Sequence, residues 1–290
     1  MAIPPKVIAE IGCNHMGDLA IAKEMIHVAA SYCKADYVKF QKRNNRELLS
    51  PEQYAAPHPN PIHSYGATYG EHREFLEFTL DQHRELKEEC QASGIGYATS
   101  VWDLTSAKEI ASLEPDFIKI PSATNQHYAL LEWLCKNYKG GLHVSLGMTT
   151  RQEEKRLVDF MNAQGRGKDT VLYACTSGYP VPFQDICLRE IERLLTAYDG
   201  QVQSIGFSGH HLGIAVDVVG QALGARWIER HFTLDRTQKG TDHAASLEPD
   251  GLRRLVRDTH AVAQALNEKP TELLNIELPQ RAKLKWVGQK

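Results

Sequence analysis

The stretch SIGFSGHH (residues 204–211), followed after one helix-length by RWIERHFT (226–233), decides the fold of this chain. Each is a short strand-like run that ends in a histidine, His210 in the first and His231 in the second. The same layout recurs upstream in KVIAEIG (6–12), ADYVKFQ (35–41), GIGYATS (94–100), DFIKIPS (116–122), GLHVSLG (141–147) and TVLYACT (170–176), each running into polar residues. Helical patterns lie between them. Asp18 is placed to cap residues 19–33, and Thr79 with Gln82 forms a capping box for the stretch that ends before Gly94. Strands alternating with helices of this length imply parallel pairing, and eight such units close an α/β barrel, the (β/α)8 TIM barrel.

Length and composition agree. A chain of 290 residues fits one such barrel, so a single domain over 1–290 is expected, with a tail after about residue 267. The widest interruption, residues 42–71 with the turn-rich PHPNPIHSYG (57–66), is long for a βα connection and reads as a functional loop. A net charge of −3 argues against a nucleic-acid or anionic-membrane partner. The six cysteines form no CxxC pair and read as reduced thiols. The N-terminus lacks a signal-peptide pattern and no run approaches the ~20 apolar residues of a membrane span, so a cytoplasmic location is expected.

Period-two alternation selects the side chains that enter the barrel. With Val7, Ala9 and Ile11 facing the helices, Ile8, Glu10 and Gly12 face inward. By the same rule Tyr37, Lys39, Gln41, Lys119, His143, Ser145, Ser208, His210, Glu229, His231 and Thr233 point into the lumen or its mouth.

Two inward lysines need negative charge, because an unpaired buried ammonium is costly. Glu10 and Glu229 supply part of it. Lys39 and Lys119 together with Ser100, Ser122, Ser145, Thr176 and Ser208 around one rim form a cradle for a ligand bearing phosphate and carboxylate. His210 and His231 end adjacent strands on the side where barrel active sites lie, and two imidazoles suit Mn²⁺, Fe²⁺ or Zn²⁺. Asp242, in KGTDHAAS (239–246), either completes that shell, contacts a sugar hydroxyl or forms a turn. His15 is placed to hold a loop, and His63, His72 and His243 are candidate substrate neighbours. His27, His83, His127 and His260 read as surface residues.

The stretches AEIGCNHMGD (9–18), VKFQ (38–41), FIKIPSA (117–123), VSLGMTT (144–150), ACTSGYPVP (174–182), IGFSGHH (205–211), IERHFT (228–233) and GTDHAASLEP (240–249) resemble the sialic acid synthase family. They run across nearly the whole chain in order. The resemblance implies an enzyme that joins C3 of phosphoenolpyruvate to the aldehyde carbon of an open-chain aldose or amino sugar, giving a sialic-acid-like 3-deoxy-2-ulosonic acid and phosphate. By resemblance Lys39, Ser100, Lys119, Ser122, Ser145 and Ser208 hold phosphoenolpyruvate. His210 and His231 bind a divalent metal, Mn²⁺ or Mg²⁺ in the first place, with Zn²⁺ or Fe²⁺ as alternatives. Glu10 orients or deprotonates the attacking water, and Gln41, Tyr179 and Asp242 line the acceptor side.

Three departures matter. Ala123 and Thr124 stand where the family carries Gly-Glu, Ser177 stands where it carries Asn, and Gly209 where it carries Asp. Thr124, Thr176 and Ser177 are therefore placed with the substrate-binding residues while the acceptor's identity stays open. The sequence ends where a small antifreeze-like domain follows in familiar members, which leaves residues 42–71 and Arg73 to act as a lid and allows a homodimer. A Schiff-base aldolase using Lys119 or Lys39 is a second enzymatic reading. A barrel that binds a sugar acid without turnover is a third.

Overall fold

The protein's computed structural model describes residues 3–286; residues 1–2 and 287–290, which the single-barrel expectation included, lie outside the described residues. Eight parallel strands close on themselves in sequence order: β1 (Lys6–Gly12), β2 (Tyr37–Lys42), β3 (Gly96–Val101), β4 (Phe117–Ile120), β5 (Gly141–Ser145), β6 (Thr170–Cys175), β7 (Ser204–Gly209) and β8 (Trp227–His231). Each expected strand is present. The ends shift where local chemistry intervenes: Gly94 sits at φ +69° as the cap of the helix Leu80–Ser93, so β3 starts later than expected. Asp18 and the Thr79–Gln82 capping box begin their helices as expected.

Alternation sorts the strand residues into two layers. Val7, Ala9, Ile11, Val38 and Phe40 pack outward on helix residues such as Met25, Ile26, Leu252 and Leu255. Ile8, Ala98, Phe117, Val171 and Tyr173 fill the lumen beneath the mouth. His143 belongs to that plug: its ring stacks on Phe117 at 3.8 Å and its Nδ1 is 2.8 Å from the Tyr173 hydroxyl, so it is a satisfied core histidine.

One expectation fails on packing. His83 was expected at the surface but is fully buried with Leu86 and Cys90, on the inward stripe of an otherwise charged helix, and its Nδ1 lies 2.9 Å from the Tyr97 hydroxyl. Past the last barrel helix, Pro249–Ala265, the described tail carries one short helix, Leu278–Leu284, and is largely exposed. All six cysteines are free thiols. Among the described residues no helix is long and apolar enough to cross a membrane.

Candidate active site

Strand register brings the inward polar residues together. Glu10 pairs across β1 with Lys39 on one side and His231 on the other. Gln41, Ser100, Lys119 and His143 run side by side through β2 to β5, and Cys175, Ser208 and Glu229 through β6 to β8. The result is a cavity of about 340 Å³ at the C-terminal ends of the strands, with Lys39 buried just beneath.

Four charged groups form its floor. Lys39 Nζ is 2.5 Å from Glu10 Oε2 and donates to Ser100 Oγ at 2.7 Å. Lys119 Nζ donates to Glu229 Oε2 at 2.8 Å and lies 3.9 Å above the Tyr173 ring. Lys39 is also 3.8 Å from Glu229. The expected need for negative charge is thus met by the chain itself: two ammoniums face two carboxylates. Burial lowers the pKa of Lys119 against the pull of Glu229. For Glu229, burial is outweighed by Lys119 and Lys39, which hold it well below the usual carboxylate range. Glu10 goes the other way, raised by burial despite Lys39, and accepts from Gln41 Nε2 at 2.9 Å.

Hydroxyls surround this floor. Ser100, Ser122, Ser145, Ser177 and Ser208 line the cavity with Gln41 and Tyr179. Gly147 N donates to Ser122 Oγ at 3.0 Å, and a side chain at Gly147 would collide with the hydroxyls of both Ser122 and Ser177. Gly12, at φ +55° beside a β-bulge, brings the backbone close to Glu10 and Gln41. Asn125, which the sequence reading passed over, donates to Ser145 O at 2.9 Å and Thr149 Oγ1 at 2.7 Å and ties two strand ends together.

The imidazoles stand at the rim, ring centroids 5.5 Å apart, with Tyr179 packed against both. His210 Nδ1 is 2.9 Å from Thr176 O. A carbonyl only accepts, so Nδ1 holds the proton and Nε2 keeps its lone pair. Burial presses the pKa of His210 down to about 4, which keeps the ring neutral at pH 7. His231 Nδ1 is enclosed with no hydrogen-bond partner, and the nearest carboxylate oxygen, Asp242 Oδ2, is 3.9 Å away. A neutral His210 with its Nε2 lone pair free, beside a His231 whose Nδ1 has no protein partner, fits a divalent cation whose other positions are filled by water or substrate. Among the described residues no group of three or more His, Cys, Asp or Glu is placed to hold a metal ion. Behind the two imidazoles Arg230 donates to Gly213 O at 2.8 Å and to Asp217 and His211, fixing the loop that carries His210.

Other expected residues lie off the cavity wall. Thr176 turns its hydroxyl to Asp185 O at 2.9 Å, and Thr124 encloses its Oγ1 in a short turn without a partner. His243 is bonded to Thr233 Oγ1 at 2.7 Å, His63 Nδ1 accepts from Gly240 N at 3.1 Å and His72 Nδ1 from Tyr65 N at 3.1 Å. These three hold loops together. Residues unmarked by the sequence reading also line the cavity: Trp102, Pro121, Met148 and Cys175. The Cys175 thiol is pushed up by burial, so it offers no thiolate.

The family model described as the NeuB family matches residues 25–271. N-acetylneuraminate-9-phosphate synthase of Homo sapiens is 37% identical over 281 residues, covering 97% of this chain and 76% of that protein. N,N'-diacetyllegionaminic acid synthase of Campylobacter jejuni is 32% identical, covering 90% and 77% respectively. The crystal structure of N-acetylneuraminic acid (sialic acid) synthetase from Leptospira borgpetersenii in complex with citrate superposes with a TM-score of 0.81 at 28% identity, covering 97% of this chain and 93% of that one.

Proposed function

This chain belongs to the NeuB family, and from that membership we propose that it condenses phosphoenolpyruvate with the aldehyde of an open-chain aldose. C3 of the enolpyruvyl group bonds to the aldehyde carbon, whose oxygen takes a proton. Water adds at C2, the C2–O bond to phosphorus breaks, and inorganic phosphate leaves a 3-deoxy-2-ulosonic acid. The observation that carries the reading is the convergence of Glu10, Lys39, Lys119, Glu229, His210 and His231 on one cavity at the mouth of the barrel.

In this reading Lys39 and Lys119 exchange part of their contact with Glu10 and Glu229 for the donor's carboxylate and phosphate. Ser122, Ser145, Ser177 and Ser208 donate to its oxygens. Glu10, raised by burial and steadied by Gln41, holds the attacking water and takes its proton. His210 and His231 hold a divalent metal, Mn²⁺ or Mg²⁺ before Zn²⁺ or Fe²⁺. When bound, it supplies Lewis-acid polarisation of the aldehyde oxygen. Tyr179 and Asp242 border the acceptor. The human relative's name carries a 9-phosphate, and C9 of such a product is C6 of the acceptor, because condensation adds three carbons at C1.

A Schiff-base role would need a free lysine amine, whereas Lys119 and Lys39 are each engaged by a carboxylate and the paired imidazoles would have no task. A cytoplasmic location belongs to the same reading. So does a homodimer, supported by the exposed Ile276, Leu284 and Trp286 and measurable by light scattering. The deciding experiment is an aldose panel with phosphoenolpyruvate and Mn²⁺, scored by phosphate release and product mass. No phosphate release with any aldose would sink the condensation, and release that a chelator leaves unchanged would sink the metal's part in it.

A further inference from the structure

The turn 147–149 leads from the end of β5 towards the helix Arg151–Ala163 and carries a residue that the reaction above leaves unused. Met148 sits at φ +53°, a backbone conformation that favours glycine, and its side chain is 71% exposed, so burial does not offset the strain. The turn is fixed on both sides. Gly147 N donates to Ser122 Oγ, Thr149 Oγ1 donates to Gly147 O at 2.9 Å and accepts from Asn125 Nδ2, and Thr150 caps the helix in a reciprocal box with Glu153. Met148 is thereby held at the boundary of two hollows. It lines the catalytic cavity and also an adjoining groove of about 650 Å³ beyond the ends of β5 and β6, and the two share Met148, Cys175 and Ser177.

This position gives the thioether two properties at once. As a weak hydrogen-bond acceptor it leaves the hydroxyls of Ser122 and Ser177, which both lie against Gly147, free to donate to the oxygens of phosphoenolpyruvate. It is also the methionine that solvent reaches: Met25 and Met161 are fully buried, and Met16 is half-buried and lines neither hollow. An exposed thioether reacts with two-electron oxidants to give a sulfoxide, which is polar where the parent side chain is apolar.

We propose that Met148 is an oxidative modification site at the mouth of the catalytic cavity, with a peroxide as co-reactant, and that its sulfoxide weakens the hold on phosphoenolpyruvate. A sulfur lone pair takes one oxygen of hydrogen peroxide, the O–O bond breaks and the other oxygen leaves as water. The sulfur is oxidised by two electrons and the peroxide reduced by two. The new oxygen is a strong acceptor beside Ser122 and Ser177: it competes for their protons and sets negative charge density against the donor's phosphate. Two thiols reverse the step, giving back the thioether with water and a disulfide. The effect on binding rests on the donor's placement in the reading above.

The test treats the wild type and Met148→Leu with hydrogen peroxide, then with dithiothreitol alone, then with methionine sulfoxide reductases A and B. The tryptic peptide GGLHVSLGMTTR (140–151) holds Met148 and no cysteine, so one added oxygen there reports the sulfoxide. It should appear before any oxygen on the peptides that hold Met25 or Met161. In Mn²⁺-supported phosphate release the KM for phosphoenolpyruvate should rise by about 3- to 10-fold, the loss of one hydrogen bond. It should stay raised after dithiothreitol, which reverses sulfenic acids and disulfides, and return after the reductases. Met148→Leu, measured against its own untreated protein, should shift by less than about twofold. Later oxidation of Met148 than of the buried methionines, an unchanged KM once peptide 140–151 carries the oxygen, or an equal shift in Met148→Leu would overturn the proposal.

A second readout is independent of turnover. Phosphoenolpyruvate titration followed by tryptophan fluorescence, with Trp102 in the cavity wall, should show the same loss of affinity on oxidation. Weaker binding by the oxidised protein with no phosphate released from any aldose would leave the modification site standing and sink the reaction. Phosphate release with a KM indifferent to the sulfoxide would do the reverse.

Discussion

Lys119 Nζ and Glu229 Oε2 meet at 2.8 Å across the lumen, and the same oxygen lies 3.8 Å from Lys39, so one carboxylate sits between both ammonium groups. Glu229→Gln keeps the shape and the Ser208 contact while deleting that charge. Leaving a buried ammonium short of its partner costs about 3–5 kcal/mol, which lowers Tm by on the order of 10 °C. Phosphoenolpyruvate should then stabilise the variant more than the wild type, because its negative charge replaces the one removed. Equal thermal shifts with the ligand would mean that Glu229 does not face the donor.

Glu10→Gln separates binding from chemistry. Losing the group that takes the proton of water should lower kcat by about 10²- to 10⁴-fold. Affinity for phosphoenolpyruvate, read by fluorescence titration, should hold or rise, since Lys39 is released from its ion pair. Burial raises the Glu10 carboxyl, so the acid limb of wild-type kcat/KM should lie above the ordinary carboxylate range and vanish in the variant. A kcat within tenfold of wild type removes Glu10 from this role.

His231→Ala removes the enclosed imidazole whose Nδ1 has no protein partner. Manganese titration followed by electron paramagnetic resonance should show weaker binding, and phosphate release should stop while the circular dichroism spectrum is retained. His210→Ala should do the same and also free Thr176 O. Unchanged manganese affinity in His231→Ala would defeat the assignment of this pair.

The barrel was legible because alternation holds wherever a strand is extended. It placed Glu10, Lys39, Lys119 and Glu229 inward, and the register puts them within ion-pair distance. Which carboxylate meets which lysine was not legible, since Lys119 on β4 and Glu229 on β8 are brought together only by closure of the barrel. Thr176 shows where the rule stops: β6 ends at Cys175, and one residue later the side chain turns to Asp185. Trp102 and Met148 follow strand ends, where no period marks them. The burial of Arg73 against the Tyr69 and Trp102 rings depends on how the whole segment 42–75 folds, which no local pattern specifies. His83 was misplaced because a charged helix hid a narrow buried stripe.

Two of the buried histidines outside the site, His15 and His83, make stability depend on pH in a defined window. His15 stacks on Phe78 at 4.1 Å, His83 is enclosed beside Tyr97, and burial presses the pKa of each down to about 3. In the unfolded chain both rings take protons below about pH 6.5, while the folded protein excludes them until about pH 3. The unfolded state therefore binds more protons across that interval, and stability falls as pH drops through it. Each ring adds up to about 1.4 kcal/mol per pH unit to the slope, and neither contributes above pH 7. Glu10 works in the opposite direction because its carboxyl is raised, so the informative quantity is the difference between proteins. Urea midpoints from pH 7.5 to 4.5 should fall less steeply for His83→Phe than for the wild type, by about one proton's worth of slope. Parallel curves would show that His83 titrates alike in both states, contrary to its enclosure beneath the helix Leu80–Ser93.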